Sequence, residues 1–263
     1  MTSVAETIQR AKAEGRGVLV GYLPAGYPTL DGSVDALVAL AEAGADVLEL
    51  GVPYSDPVMD GIVIQKATNE SLEGGFRVRD VFTIVRAVRE KIEVPILVMT
   101  YWNPVVQYGV DRFAGELKAA GGAGLITPDL IPDEAGEWIR ASDDHGLERV
   151  FLAAPSSTDE RLRSAVVNST GFVYAVSTMG ITGARGDIDT AAKTLVSRLR
   201  SVGADSVCVG LGISTPDQVS DVCSYADGAI VGSHLVSALG YGGVDAVRSA
   251  TVLLAQGIST QTA

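Results

Sequence analysis

Eight short apolar segments recur along the chain, and a longer segment with helical periodicity follows each of them. The apolar segments are rich in β-branched residues, and several are flanked by glycine or proline, which is typical of β-strands. Strands that are apolar along their whole length are buried on both faces, as in a parallel sheet covered by helices. The predicted strands span residues 17–23, 46–52, 95–101, 123–127, 149–154, 171–177, 205–211 and 227–233.

Eight successive strand–helix units favour closure of the sheet into a barrel. The length of 263 residues fits one barrel of roughly 250 residues, and no linker-like stretch divides the chain. An open doubly wound sheet is the alternative, but no glycine-rich fingerprint of that fold follows the first strand. Residues 1–15 have the pattern of an amphipathic helix. The sequence therefore predicts a single TIM barrel, (β/α)8, over residues 1–263, with an extra N-terminal helix.

Charge and cysteine content exclude several classes of function. Asp and Glu number 32 against 20 Lys and Arg, a formal net charge of -12. This balance argues against a nucleic-acid binder and against docking on anionic membranes. The two cysteines, Cys208 and Cys223, are too few for a disulfide framework. The N-terminus lacks the apolar stretch of a signal peptide, so we expect a cytoplasmic protein.

Barrel active sites lie at the carboxyl ends of the strands, so the side chains there are the candidates for chemistry. All five lysines fall in predicted helices, which disfavours a Schiff base, and two histidines are too few for a histidine-based metal site. Acid–base chemistry by carboxylates, helped by tyrosine, remains. The candidates at strand ends are Glu49, Asp56, Asp60, Tyr22, Tyr101 and Tyr174.

Glu49 is the sharpest candidate, because a strand buried on both faces places its carboxyl in apolar surroundings. Such a glutamate is either paired with a buried partner for structural reasons or an acid–base group with a raised pKa. Asp56 and Asp60 lie in a loop rich in proline and glycine, where turn or cap residues are also common. Tyrosines at such positions are more often wall or core residues than catalysts.

The last two strand–helix junctions predict a phosphate site. Gly212 allows close approach of the backbone to a ligand, and Gly232 and Ser233 open a helix whose free N–H groups attract an anion. Gly183, in the loop after the sixth strand, adds another amide. Barrels often bind phosphate at the seventh and eighth junctions, although ordinary turn glycines are the alternative.

Five segments together resemble those of the tryptophan synthase alpha subunit family, in the same order along the chain. They are LELGVPYSDPVMDG (48–61), TYWNP (100–104), MGITG (179–183), GLGIS (210–214) and ADGAIVGS (226–233). The resemblance extends from residue 21 to about residue 236. Members of this family cleave indole-3-glycerol phosphate to indole and glyceraldehyde 3-phosphate.

The resemblance also assigns roles and partners. It implies that Glu49 and Asp60 are catalytic, and that Asp56 and Thr182 couple the chain to a beta subunit in an alpha2beta2 heterotetramer. Substrate contacts are implied for Tyr22, Tyr101, Tyr174, Gly183, Gly212, Gly232 and Ser233. Pyridoxal phosphate is expected only in the beta subunit, with no cofactor and no metal in this chain. The sequence departs from the family pattern at Ile62, Trp102 and Pro128.

Two other functions are compatible with parts of the pattern. A different phosphate-binding barrel enzyme typically uses a strand-end lysine, paired aspartates or histidine-bound metal, and the first and third are lacking. A catalytically silent scaffold that only activates a partner is disfavoured by the intact Glu49 and Asp60.

Overall fold

A closed barrel of eight parallel strands, paired in chain order, forms the centre of the computed structural model, which describes residues 3–176, 185–210 and 212–258. The predicted TIM barrel is confirmed: six predicted strands contain the observed one, and the first and fifth observed strands each extend one residue beyond the predicted range at one end. The strands are β1 (Val18–Pro24), β2 (Val47–Gly51), β3 (Ile96–Met99), β4 (Gly124–Thr127), β5 (Glu148–Ala153), β6 (Val173–Val176), β7 (Val207–Gly210) and β8 (Gly228–Val231).

Helices surround the barrel, and β2 and β3 are each followed by two of them. The α-helices are α1 (Val4–Ala13), α2 (Leu30–Glu42), α3 (Ile62–Glu73), α4 (Asp80–Arg89), α5 (Trp102–Tyr108), α6 (Val110–Ala120), α7 (Gly136–His145), α8 (Asp159–Asn168), α9 (Arg185–Ser201), α10 (Pro216–Cys223) and α11 (Ser233–Ala255). Short 3-10 helices cover Pro132–Glu134 and Gln256–Ile258. Among these helices, none has the length and apolar character needed to cross a bilayer.

Buried side chains form two apolar layers. The larger layer lies between the sheet and the surrounding helices, and the smaller one fills the barrel interior. Alternation along the strands divides them: Leu48 and Leu50 face outward, whereas Val47 belongs to the interior layer. Glu49 therefore points into the barrel, because residues two apart on a strand share a face.

Helix α1 closes the amino-terminal end of the barrel. Its residues Val4, Ile8 and Ala11 are fully buried and belong to the interior layer. A capping box at Ser3 starts the helix. The Glu148 carboxylate of β5 accepts the N–H groups of Val4 at 2.7 Å and Ala5 at 2.9 Å. The expected extra helix is thus confirmed, and it forms the floor of the barrel.

One expectation about the lysines is wrong. Lys91 lies in the turn after α4, because that helix ends at Arg89 and the chain turns toward β3. The other four lysines lie on helices, as expected. All five are in described parts of the chain, and none stands at the carboxyl end of a strand. The argument against a Schiff base therefore remains.

Candidate active site

A cavity of about 150 Å³ opens at the carboxyl ends of the strands. It brings together both candidate catalytic carboxylates, Glu49 and Asp60, with two of the three candidate tyrosines. The remaining wall is largely apolar, which suits a flat aromatic ligand with a few oriented polar groups. The lining residues are Tyr22, Glu49, Met59, Asp60, Ile64, Met99, Pro128, Leu152, Tyr174, Val176, Ile230 and Gly232.

Glu49 is almost completely buried, with 1% of its surface exposed. Its Oε2 atom has no hydrogen-bond partner in the described structure, and no lysine or arginine there forms an ion pair with it. Burial, followed by the nearby negative charge of Asp60, raises the pKa of Glu49 to about 8. The interpretation as a structural ion pair is therefore not supported. At neutral pH this carboxyl holds a proton that it can donate.

Asp60 lies near the end of the ten-residue connection between β2 and α3. The Tyr101 hydroxyl donates to Asp60 Oδ1 at 3.2 Å and accepts the Met59 N–H at 2.9 Å. The Gln65 side chain donates to the carbonyl oxygen of Asp60 at 2.7 Å. Burial raises the pKa of Asp60, and the hydrogen bond from Tyr101 opposes that rise. These contacts fix a carboxylate that the loop alone would leave free to move.

Two tyrosines reach across the barrel wall through spaces left by glycines. An added Cβ at Gly51 would stand 2.2 Å from the Tyr22 hydroxyl oxygen. At Gly210 it would stand 2.6 Å from the Tyr174 hydroxyl oxygen. In both cases the ring lies on one strand and its hydroxyl lies over the next strand. Burial raises the pKa of Tyr22 and Tyr174 well above the usual value, so both phenols stay protonated.

Three residues of the predicted anion site, Gly212, Gly232 and Ser233, lie in described parts of the chain. Gly212 follows β7 with a φ of 66°, in the left-handed region that favours glycine. Gly232 precedes α11, whose first turn lacks a side-chain cap, unlike that of α10. Free N–H groups at Ser233 and beyond are thus available for an anion at the mouth of the cavity. Gly183 lies outside the described residues.

Asp56 is exposed, and its Oδ2 accepts the Ser55 hydroxyl at 2.7 Å. Thr182, its expected coupling partner, lies outside the described residues. The structure therefore does not test whether these two side chains meet.

The three departures from the family pattern occupy different places. Pro128 lines the cavity. Ile62 begins α3 and is 85% exposed, so it does not line the cavity. Trp102 begins α5, and its backbone N–H donates to Asp129 Oδ1 at 2.9 Å. Of the three, only Pro128 changes the shape of the candidate pocket.

The sequence analysis missed the apolar part of the wall. Met99, Leu152 and Ile230 could have been identified, because strand alternation places them on the inner face. Met59 and Ile64 could not be identified, since Met59 lies in the irregular connection after β2 and Ile64 lies on α3. The link between Tyr101 and Asp60 also had no signal in the sequence.

Exposed apolar side chains surround one side of the cavity mouth. Val58, Met59 and Ile62 are 80%, 54% and 85% exposed. Val106 on α5 and Ile131 after β4 are each 45% exposed. These five residues, here called the apolar rim, follow three neighbouring strands at the same end of the barrel. Such a concentration of exposed apolar groups is typical of a protein–protein contact.

In the described parts of the chain, no cluster of three or more histidine, cysteine, aspartate or glutamate side chains is arranged to hold a metal ion.

Comparisons with known proteins agree with this geometry. A family model described as "Tryptophan synthase alpha chain" matches residues 8–258. A tryptophan synthase alpha chain from Leifsonia xyli subsp. xyli is 64% identical over 257 residues, covering 98% of both chains. One from Mycobacterium marinum is 57% identical over 247 residues, covering 94% of this chain and 91% of the relative. A structure of Mycobacterium tuberculosis tryptophan synthase matches with a TM-score of 0.93 and 51% identity, covering 99% of this chain and 100% of the other.

Proposed function

The chain belongs to the tryptophan synthase alpha chain family, whose reaction is the cleavage of indole-3-glycerol phosphate, and we propose that Glu49 and Asp60 carry out its proton transfers. The observation that supports these roles most directly is the pair of carboxyls in one cavity, each with a raised pKa. Indole itself accepts the electrons of the breaking bond, so the chemistry requires neither a Schiff base nor a metal.

Protonation of the indole ring comes first. Glu49, neutral near pH 7 because its pKa is about 8, donates its proton to the ring carbon that bears the side chain. The ring N–H passes its proton to the Asp60 carboxylate, which gives a neutral indolenine. General acid–base groups of this kind typically contribute a factor of about 100 to 10,000 each to the rate.

Cleavage follows from the side-chain hydroxyl. The Glu49 carboxylate accepts the proton of that hydroxyl, an aldehyde forms, and the carbon–carbon bond breaks. The released electron pair returns to the ring, whose nitrogen regains a proton from Asp60. Indole and glyceraldehyde 3-phosphate leave, and both carboxyls have returned to their starting states.

Substrate binding divides between an apolar wall and backbone amides. The indole ring packs between Tyr22 and Tyr174 on the wall that Met99 and Leu152 complete. The phosphate binds the amides of Gly212, Gly232 and Ser233, with Gly183 as a further donor. Tyr101 contacts the substrate beside Asp60, to which its hydroxyl donates a hydrogen bond. The net charge of -12 does not oppose this binding, because oriented amides attract the anion locally.

An alpha chain implies a beta-chain partner. The apolar rim supports docking of that partner over the cavity mouth, since it exposes Val58 and Ile62 there. We propose an alpha2beta2 assembly in the cytoplasm, formed by this one-domain chain and a beta subunit that holds pyridoxal phosphate. Members of the alpha-chain family normally work without a cofactor, and we propose the same for this chain.

Conversion of each carboxyl to its amide tests the proposed catalysis. Glu49→Gln and Asp60→Asn should each lower indole release by about 100- to 10,000-fold while glycerol phosphate still binds. The matched control is Glu93→Gln, which makes the same change at an exposed site. Indole release near the wild-type rate by both Glu49→Gln and Asp60→Asn would overturn the assignment.

The proposed coupling has its own test. The beta subunit should increase indole release by favouring a closed arrangement of the loops after β2 and β6. Asp56→Ala and Thr182→Val should reduce this increase more than they reduce basal binding of glycerol phosphate. If both variants are activated as strongly as wild type, the coupling proposal is wrong even if the catalytic assignment survives.

A further inference from the structure

Tyr22 and Glu49 are neighbours on the inner face of the barrel. They are paired residues in the register of β1 and β2, on adjacent parallel strands. The phenol of Tyr22 extends over β2, so that its oxygen lies where a side chain at Gly51 would begin. Gly51 comes two residues after Glu49 on the same face, about 6.8 Å further along the strand. The hydroxyl group therefore lies directly above the glutamate, on the side of the cavity mouth.

Glu49 needs a hydrogen-bond donor when it is ionised. In the neutral form its Oε2 atom is buried without a partner in the described structure. A buried carboxylate without a donor is strongly disfavoured, yet the proposed reaction creates that carboxylate when the proton moves to the ring. A nearby donor would stabilise the charge at the moment when it appears.

The titratable groups that face Glu49 offer few donors. Asp60, from the connection after β2, is itself an acid, and Cys208 of β7 belongs to the floor of the interior. Tyr101, after β3, already donates to Asp60. The Glu49 charge also raises the pKa of Tyr174 of β6, but the Tyr174 hydroxyl lies against Gly210 on β7, which is not a neighbour of β2. Tyr22 is left, and no described group accepts a hydrogen bond from its hydroxyl.

We propose that Tyr22 is a positioning residue whose hydroxyl donates a hydrogen bond to the Glu49 carboxylate while the glutamate proton is on the substrate. This inference rests on the proposed function. The contact would form by rotation of the Glu49 side chain toward Gly51. The phenol remains a donor throughout the neutral range, because burial and both carboxylates raise the pKa of Tyr22 well above its usual value.

Two glycines lie next to the Tyr22 ring. Gly51 leaves the space in which the hydroxyl lies, and an added Cβ at Gly232 would stand 3.5 Å from Cδ1 of the ring. The phenol thus lies between the strand that carries Glu49 and the residue that opens α11. A wall residue that only contacts indole would need the ring but not the hydroxyl, and this difference makes the inference testable.

Tyr22→Phe removes the hydroxyl and keeps the ring. Turnover should fall about tenfold, with KM changed less than about twofold, because the donor acts only after Glu49 ionises. In wild type, kcat/KM falls at alkaline pH as Glu49 loses its proton. Without the donor the carboxylate is less stable, so this alkaline limb should move about one pH unit higher. Tyr241→Phe, at a 95% exposed tyrosine, is the matched control and should change neither quantity.

Fluorotyrosine at position 22 provides a second measurement in the opposite direction. Its more acidic phenol is a stronger donor, so the alkaline limb should move to lower pH. Tyr174→Phe should leave the position of the limb unchanged, whatever it does to substrate affinity. Circular dichroism of each variant establishes that the barrel is folded before the rates are compared.

Two outcomes would overturn the inference. In the first, Tyr22→Phe raises KM but leaves both kcat and the alkaline limb unchanged, which would make Tyr22 a wall contact. In the second, the limb moves in Tyr174→Phe and not in Tyr22→Phe. Failure of the proposed function is distinguishable, because it requires that Glu49→Gln releases indole near the wild-type rate.

Discussion

Glu49→Gln should stabilise the folded chain while it removes the proposed activity. Burial raises the pKa of Glu49 from its ordinary value of 4.5 to about 8. Between these two pH values the folded chain keeps a proton that the unfolded chain has released. Raising the pH through this window therefore favours unfolding, because the unfolded state binds fewer protons. Glutamine is also neutral but does not titrate, so the variant avoids this cost.

The size of the effect follows from the width of the window. Each pH unit is worth about 1.36 kcal/mol, so at pH 7, which lies 2.5 units above 4.5, wild type is destabilised by about 3 kcal/mol. The group is 1% exposed, so solvent screening does not reduce this figure. The advantage of Glu49→Gln should grow from about 1.4 kcal/mol at pH 5.5 and level off above about pH 8.

Urea unfolding from pH 5.5 to 8.5, followed by circular dichroism and tryptophan fluorescence, measures this difference. Glu93→Gln makes the same change at an exposed residue and should show no comparable pH-dependent gain. A variant that is no more stable than wild type at pH 7 and 8 would refute the reasoning. Equal stability would mean that Glu49 ionises in the folded chain with a pKa close to 4.5.

Three further predictions concern other parts of the site. Tyr101→Phe removes the donor to Asp60 and raises the Asp60 pKa, so the acid limb of kcat/KM should move to higher pH; an unmoved limb would contradict this role. Gly212→Val should weaken glycerol phosphate binding, because a β-branched side chain blocks the backbone and disfavours a φ of 66°; calorimetry that gives wild-type affinity would exclude this cradle. Val58→Lys should reduce activation by the beta subunit, measured as indole release, whereas Val167→Lys, at a 74% exposed residue of α8, should not.

The barrel could be predicted because its strands are apolar on both faces and recur eight times. Burial of both strand faces also predicted apolar surroundings for Glu49, and the structure shows that its face is the inner one. Gly44 and Gly203, at two of the helix-to-strand joins, have φ values of 113° and 98°, which glycine adopts readily. These features depend on residues close together in the chain.

The details of the site depended on contacts that sequence spacing does not encode. The hydrogen bond from Tyr101 to Asp60 joins residues 41 positions apart. It forms only because the irregular connection after β2 brings Asp60 to the end of β3. The position of the Tyr22 hydroxyl depends on the space left by Gly51 on the neighbouring strand. Likewise, α1 could be predicted as a helix, but its place beneath the barrel results from apolar side chains that meet only in the folded chain.

Helix α1 closes the amino-terminal end of the barrel, so among the described residues the active-site cavity opens only at the carboxyl ends of the strands. Side chains from the strands fill the interior beneath Glu49, and Ile8 seals the layer from below. In the part of the barrel that the structure describes, substrate and products share the mouth that the apolar rim borders. A protein that binds the rim therefore borders the path by which indole leaves this mouth. Whether indole escapes to solvent or is delivered to a second site is then decided by what covers the mouth.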